Sequence, residues 1–146
     1  MRILVADDDA VYRSLLERLL GEWQFDVQLV SDGVEAMEVM SGSDPPKLLI
    51  LDWDMPRMDG FEVARAVRGE RRTAGTYILL ITGTRNKQDV MQVLVSGADD
   101  YLIKPFDPMD LKVHLRGAMR VLELQQELEE LKEKLAAGAK SAEWRA

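Results

Sequence analysis

"ILVADDDAVYR", residues 3–13, sets four apolar residues directly before three consecutive aspartates and then a segment of helical spacing. A run of four residues rich in Ile, Leu and Val has the length of a strand, and its unbroken apolarity suits a strand covered on both faces. Helical periodicity follows at once in Val11, Leu15, Leu16, Leu19 and Leu20. The same unit recurs: short apolar runs stand at 27–30, 48–51, 78–81 and 101–103. Between them lie Val34, Met37 and Met40, then Phe61, Val63, Ala64 and Val67, then Val90, Met91, Leu94 and Val95 at helical spacing. The order is strand then helix, five times.

Strict alternation at this spacing calls for parallel strands joined by right-handed helical crossovers. The expected fold is therefore α/β, a doubly wound five-stranded parallel sheet with helices on both faces. Ligands of such sheets bind at the carboxyl ends of the strands, near a switch in strand order. Turn signals agree with the scheme at Asp32-Gly33, the 41–46 loop, Asp59-Gly60 and Gly97.

The chain's 146 residues suffice for one domain with a full core and an appendage. Hydrophobic residues make up 47% and charged residues 31%, which argues against wholesale disorder. A net charge of -7 without a Lys/Arg cluster leaves no electrostatic footprint for nucleic acid, so direct nucleic acid binding is not expected. There is no Cys, no apolar stretch of membrane-spanning length and no basic segment leading into an apolar one. The expected setting is reducing and cytoplasmic, with no membrane contact.

The fifth helix differs from the others. From Pro108 only Gly117 interrupts it before Gly138, which gives about 30 residues and roughly 45 Å. Leu111, Leu115, Ala118 and Leu122 form one stripe for packing on the sheet, and Val121, Leu124, Leu128, Leu131 and Leu135 then keep 3-4 spacing. The second stripe reads as heptad a and d positions, with Glu127 at g facing Lys132 at the following e′ of a parallel dimer. Residues 1–122 thus form the domain, and residues 123–146 a helical extension ending in a frayed tail. A solvated helix with a leucine-rich face is the plainer alternative.

The strand ends converge chemically. The first strand runs into Asp7, Asp8 and Asp9, the third ends at Asp52, the fourth at Thr82 and the fifth at Lys104-Pro105. In a parallel sheet these ends share one edge, so carboxylates, a hydroxyl and an ammonium meet in one shallow pocket. Clustered carboxylates cannot all stay ionised cheaply, and a hard divalent cation with oxygen ligands is the usual remedy. Mg²⁺ is preferred to a transition metal because Cys is absent and His114 stands alone. A phosphoryl oxygen could complete its shell, Lys104 neutralise a second oxygen, and Thr82 with backbone N–H groups bind the third. This is electrostatic support for phosphoryl transfer to a carboxylate. A lone Asp after a strand is more often a cap or turn former; it is the combination that argues for chemistry.

"ILVADDDAVYR", "LLILDWDMPRMDGFEV", "ILLITGT" and "GADDYLIKPF" resemble the receiver domain of two-component response regulators, from Met1 to about Leu122. Separations of 45 residues from Asp7 to Asp52, 30 from Asp52 to Thr82 and 22 from Thr82 to Lys104 support the likeness. The resemblance implies a (βα)₅ flavodoxin-like fold of strand order 2-1-3-4-5. It implies that Asp52 is the phospho-acceptor, taking a phosphoryl group from a histidine kinase or phosphotransfer protein to form an aspartyl phosphate. Asp8 would be a direct Mg²⁺ ligand, Asp7 a ligand through water, and Asp54 would offer its backbone carbonyl. Lys104 would pair with the phosphoryl group, and Thr82 and Tyr101 would form a switch pair acting on the surface of the fourth helix, fifth strand and fifth helix. Asp54 and Thr84 would tune the lifetime of the phosphorylated state. Such a chain is a signalling phospho-acceptor and not an enzyme, since it catalyses only its own phosphorylation and dephosphorylation. Homodimerisation is expected through that same surface and the 121–135 heptads.

Other readings compete. "LLILDWDMP" also resembles the first motif of haloacid-dehalogenase-type phosphatases, but that family places its nucleophile near the N-terminus, its acidic pair after the Lys, and Thr or Val where Pro56 stands. An EF-hand loop starting at Asp52 would need Gly at 57 and Glu at 63, where Arg57 and Val63 stand. No Gly-rich turn follows the first strand, which removes a P-loop or dinucleotide site. A receiver that has lost phosphorylation and only dimerises is a third class. His114 reads as an ordinary helix-face residue, and Asp9 as the cap of the first helix. No helix-turn-helix or second core is recognisable; "RVLELQQELEELKEKL" (120–135) resembles the linker between receivers and dimeric outputs such as diguanylate cyclases.

Overall fold

A computed structural model describes residues 1–83 and 86–145, with side chains as far as Ala139. Thr84 lies outside the described residues. Elements run β1 (Arg2–Ala6), α1 (Ala10–Glu22), β2 (Asp26–Val30), α2 (Gly33–Met40), β3 (Leu48–Asp52), α3 (Gly60–Gly69), β4 (Tyr77–Thr82), α4 (Lys87–Ser96), β5 (Asp100–Ile103) and α5 (Pro108–Arg145). All strand pairs are parallel, in the order β2-β1-β3-β4-β5. The register pairs Ile3 with Leu48, Leu48 with Tyr77 and Leu79 with Asp100.

The two-residue period of the strands divides the core into two layers. Ile3, Val5, Leu48, Ile50, Leu79 and Ile81 meet Leu16 and Leu20 of α1 and Leu111 and Leu115 of α5. Leu4, Leu49, Leu51, Ile78 and Leu80 face the other way, onto Ala36, Val63, Val67 and Val93 of α2, α3 and α4. Every residue of β3 and β4 is buried, and each such Leu or Ile contributes about 1.5–3 kcal/mol relative to exposure. The edge strand β2 departs from the expected double cover, because among its residues only Val30 is buried.

Each helix start is marked by a side chain that accepts an orphan N–H. Asp9 accepts from Val11 N–H at 2.8 Å, Asp32 from Glu35 at 2.9 Å and Asn86 from Gln88 at 2.9 Å. Asp59 and Glu62 form a reciprocal capping box. α4 ends at Gly97, whose φ of 96° lies in the left-handed region that favours glycine. Arg68 secures that turn: it donates to the Gly97 carbonyl at 2.8 Å and the Thr76 carbonyl at 2.9 Å, and pairs with Asp99 at 2.7 Å.

Two helices differ from expectation. In α4 the apolar residues Met91, Leu94 and Val95 are exposed, while Val93 and Ser96 face the core. α5 has 38 residues and runs through Gly138 to Arg145. A helix-interior Gly costs about 1 kcal/mol against Ala, and the strong formers Leu135, Ala136, Ala137 and Ala139 flank it. Leu111, Leu115, Ala118 and Leu122 are buried as expected, whereas Leu124, Leu128, Leu131 and Leu135 are 48–67% exposed. No helix among the described residues is long and apolar enough to cross a membrane.

Candidate functional site

The carboxyl ends of the strands deliver the charged groups to one edge. Asp7 and Asp8 follow β1, Asp52 closes β3, Thr82 closes β4 and Lys104 follows β5. Ligand oxygens of Asp7, Asp8 and Asp52 all lie within 4.8 Å of one another. The Lys104 ammonium stands 3.0 Å from Asp7 Oδ2 and 3.4 Å from Asp52 Oδ1. Asp7 and Asp52 are 1% and 6% exposed, while Asp8 is open to solvent.

Among the described residues three acids thus face one cation, and two of them, Asp7 and Asp52, are buried. Burial pushes the Asp52 carboxyl up from 3.8 to about 7, and the Asp7 and Asp8 charges add to the push against the pull of Lys104. Burial by itself would depress Lys104, yet its hydrogen bond to Asp7 and the charges of Asp52 and Asp7 hold it above the ordinary lysine range. This excess of oxygen-donor negative charge fits a hard divalent cation such as Mg²⁺. The chain has no Cys, and its single His lies elsewhere. Asp7 already accepts from Asp9 N–H at 2.9 Å and from Lys104, whereas Asp8 has no such donor among the described residues.

The surrounding residues hold this edge in place. Gly60 is the first residue of α3, and a Cβ there would come within 2.4 Å of the Asp52 carbonyl oxygen. Only glycine lets α3 begin so close to the end of β3. Arg57, at φ 67°, turns the loop after β3 and donates to Asp32 Oδ2 from Nε at 2.9 Å and from Nη2 at 2.6 Å. The Glu35 N–H and then Arg57 hold the Asp32 carboxyl below its ordinary value. This pair links the α2 cap to the loop carrying Asp54, whose side chain is exposed. Trp53 lies half-buried with its ring 6.5 Å from that of Phe61.

Thr82 is buried, and its carbonyl accepts from Lys104 N–H at 2.7 Å. Tyr101 is half-buried against the β3–β4 core layer on the side of α4. The Lys104–Pro105 peptide is cis. His114, distant from the acid cluster in its contacts, meets Asp100 of β5 through Nδ1.

Three features of the site escaped the sequence reading. Tyr12 places its ring centroid 4.0 Å from the Lys104 ammonium. Arg13 donates to the Asp7 carbonyl at 2.7 Å. The close approach of Gly60 to Asp52 is the third. The first two lie inside the opening "DDDAVYR", but only the docking angle of α1 brings them over the pocket.

The chain is similar to known proteins along most of its length. The family model of the response regulator receiver domain matches residues 3–116. A "Chemotaxis protein CheY homolog" of Campylobacter jejuni is 33% identical over 120 residues, covering 82% of this chain and 92% of the relative. Response regulator MprA of Mycobacterium tuberculosis is 42% identical over 120 residues, covering 82% of this chain and 51% of that longer protein. The receiver domain of sensor histidine kinase PA1611 of Pseudomonas aeruginosa, solved with a magnesium ion coordinated in its active site cleft, superposes with a TM-score of 0.73. Its identity is 27%, covering 79% of this chain and 93% of that one. Fold, strand-end chemistry and likeness agree: the chain belongs to the response regulator receiver domain family.

Proposed function

We propose that Asp52 is the phospho-acceptor of this receiver and that a histidine kinase or phosphotransfer protein supplies the phosphoryl group. The observation that carries the reading is the convergence of Asp7, Asp8, Asp52 and Lys104 from three strand ends into one cluster. An Asp52 oxygen attacks phosphorus as the bond to the donor's imidazole nitrogen breaks, and the aspartyl phosphate remains on the chain. Asp8, Asp52 and the Asp54 carbonyl would hold Mg²⁺, with Asp7 acting through water, and the ion would supply positive charge that keeps Asp52 ionised and offsets charge on the transferring group. Asp7, already engaged by Asp9 N–H and Lys104, suits the indirect role. Lys104 takes the charge of a phosphoryl oxygen, and Thr82 supplies a hydroxyl to another. Asp54 and Thr84 tune hydrolysis.

Phosphorylation acts on a surface. Thr82 moves toward the phosphoryl oxygen, Tyr101 turns into the vacated space, and the face of α4, β5 and α5 is repacked. The exposed Met91, Leu94 and Val95 of α4 with Met109 and Val113 of α5 supply the apolar area that a homodimer would cover. The exposed heptad leucines of residues 121–135 continue the association as a coiled coil and pass it to an output such as a diguanylate cyclase. The domain ends near residue 122, the chain works in the cytoplasm, and its only reactions are its own phosphorylation and dephosphorylation.

Intact-mass measurement with acetyl phosphate tests the proposal. One added phosphoryl group is expected in the presence of Mg²⁺, none with EDTA and none in Asp52→Asn. Uptake by Asp52→Asn at the wild-type rate would reject the assignment.

A further inference from the structure

Among the described residues the Lys104 ammonium meets two acids and one aromatic ring. Its ammonium donates to Asp7 at 3.0 Å and stands 3.4 Å from Asp52, while the Tyr12 ring centroid lies 4.0 Å away. The Lys104 side chain is 15% exposed, so this ring contact operates largely out of water, where the attraction of an ammonium for an aromatic face is strongest.

Tyr12 is itself fixed from two directions. It stands in the first turn of α1, which starts at the Asp9 cap and is tied to the pocket by Arg13 donating to the Asp7 carbonyl. From the other side the Phe106 ring, two residues beyond Lys104, lies 5.9 Å from the Tyr12 centroid at 45°. One ring therefore bridges α1 and the segment after β5, and meets both Lys104 and Phe106.

We infer that Tyr12 is a positioning residue for phosphoryl uptake: its ring face holds the Lys104 ammonium over the Asp7–Asp52 pair. The inference rests on the reading of Asp52 as acceptor. A lysine carries a four-carbon stem with large rotamer freedom, and carboxylates alone attract an ammonium without fixing its direction. With the third side occupied by a ring, the stem is confined and the ammonium stays where a phosphoryl oxygen on Asp52 would arrive. The aromatic face is the active element. Phenylalanine at position 12 should serve and leucine should not, although leucine preserves the apolar bulk.

The test compares wild type, Tyr12→Phe, Tyr12→Leu and Tyr12→Met, the last as a second ring-free variant should the leucine chain fold poorly. Three readouts are taken: phosphoryl uptake from acetyl phosphate, Mg²⁺ affinity by tryptophan fluorescence, and the NMR shift of the Lys104 ε-methylene protons. Uptake should slow about three- to tenfold in the ring-free chains and stay at the wild-type rate in Tyr12→Phe. Mg²⁺ affinity should be unchanged in all four. The Lys104 protons should be displaced upfield by the ring in wild type and Tyr12→Phe, and return to ordinary positions without it. Equal uptake rates in wild type and the ring-free chains, or a Tyr12→Phe chain as slow as Tyr12→Leu, would overturn the inference alone. So would undisplaced Lys104 protons in wild type. A wild-type chain that takes up no phosphoryl group would overturn the acceptor reading together with it.

Discussion

Replacing Asp52 by Asn should make the Mg²⁺-free protein more stable at pH 8. The Asp52 carboxyl is 6% exposed and is raised by burial, and then by its acidic neighbours, from 3.8 to about 7. A carboxyl raised in the folded state favours folding in its protonated form. That contribution is full below 3.8 and is lost as the pH rises through about 7. At pH 8 the folded chain carries the whole cost of an ionised Asp52. At about 1.36 kcal/mol for each pH unit the cost is about 4 kcal/mol. The Lys104 attraction at 3.4 Å is already contained in that value, and local relaxation around the charge reduces the net gain to about 2 kcal/mol. Asn matches the shape without the charge. In EDTA at pH 8 the variant should melt about 4–8 °C above wild type. The difference should shrink to about a third by pH 5 and vanish below the unfolded-state value. Millimolar Mg²⁺ should also narrow it, because the wild-type site binds the ion better. Thermal unfolding by circular dichroism across this pH range checks the argument. A variant no more stable than wild type at pH 8 in EDTA, or a difference that grows as the pH falls, would refute it.

Three further outcomes follow from the same geometry. Gly60→Ala forces a Cβ to within 2.4 Å of the Asp52 carbonyl and should cost at least about 2 kcal/mol in urea unfolding, whereas Gly117→Ala meets open space within a helix and should gain about 0.5–1 kcal/mol. Asp9→Ala should lose about 1 kcal/mol of stability with the cap, while Mg²⁺ affinity measured by tryptophan fluorescence stays at the wild-type value. Leu128→Lys puts a charge in the middle of the exposed heptad stripe and should shift the chain toward monomer in sedimentation velocity; an unchanged dimer would remove the coiled coil from the account.

The parts of the fold that were legible in the sequence are those governed by short-range pattern and by the rules of parallel sheets. All five strands contain the expected apolar runs; in β1, β3 and β4 the run is unbroken because both faces are covered, whereas the edge strands β2 and β5 bury only Val30 and Leu102. The acid cluster was legible for the same reason: strand ends are close in space however far apart in sequence. Asp9 could be assigned as a cap because capping is local. Features that depend on how elements dock were not legible. The apolar residues of α4 allow two overlapping stripes, and periodicity cannot say that Val93 and Ser96 face inward while Met91, Leu94 and Val95 face out. The Arg57–Asp32 pair spans 25 positions, and the Tyr12–Lys104 contact depends on the angle of α1 against β5. His114 and Asp100 likewise meet only because α5 packs beside β5. Gly138 resembles a helix stop, but strong helix formers on both sides outweigh one glycine.

Asp52, and no other carboxylate of the cluster, is expected to accept the phosphoryl group. Sodium borohydride reduces an acyl phosphate to the alcohol, which marks the modified residue permanently. After incubation with acetyl phosphate and Mg²⁺, reduction and peptide mass spectrometry should find homoserine at position 52, with Asp7, Asp8 and Asp54 intact. Homoserine at any of those three, or a phosphoryl group recovered on His114, would reject Asp52 as the acceptor.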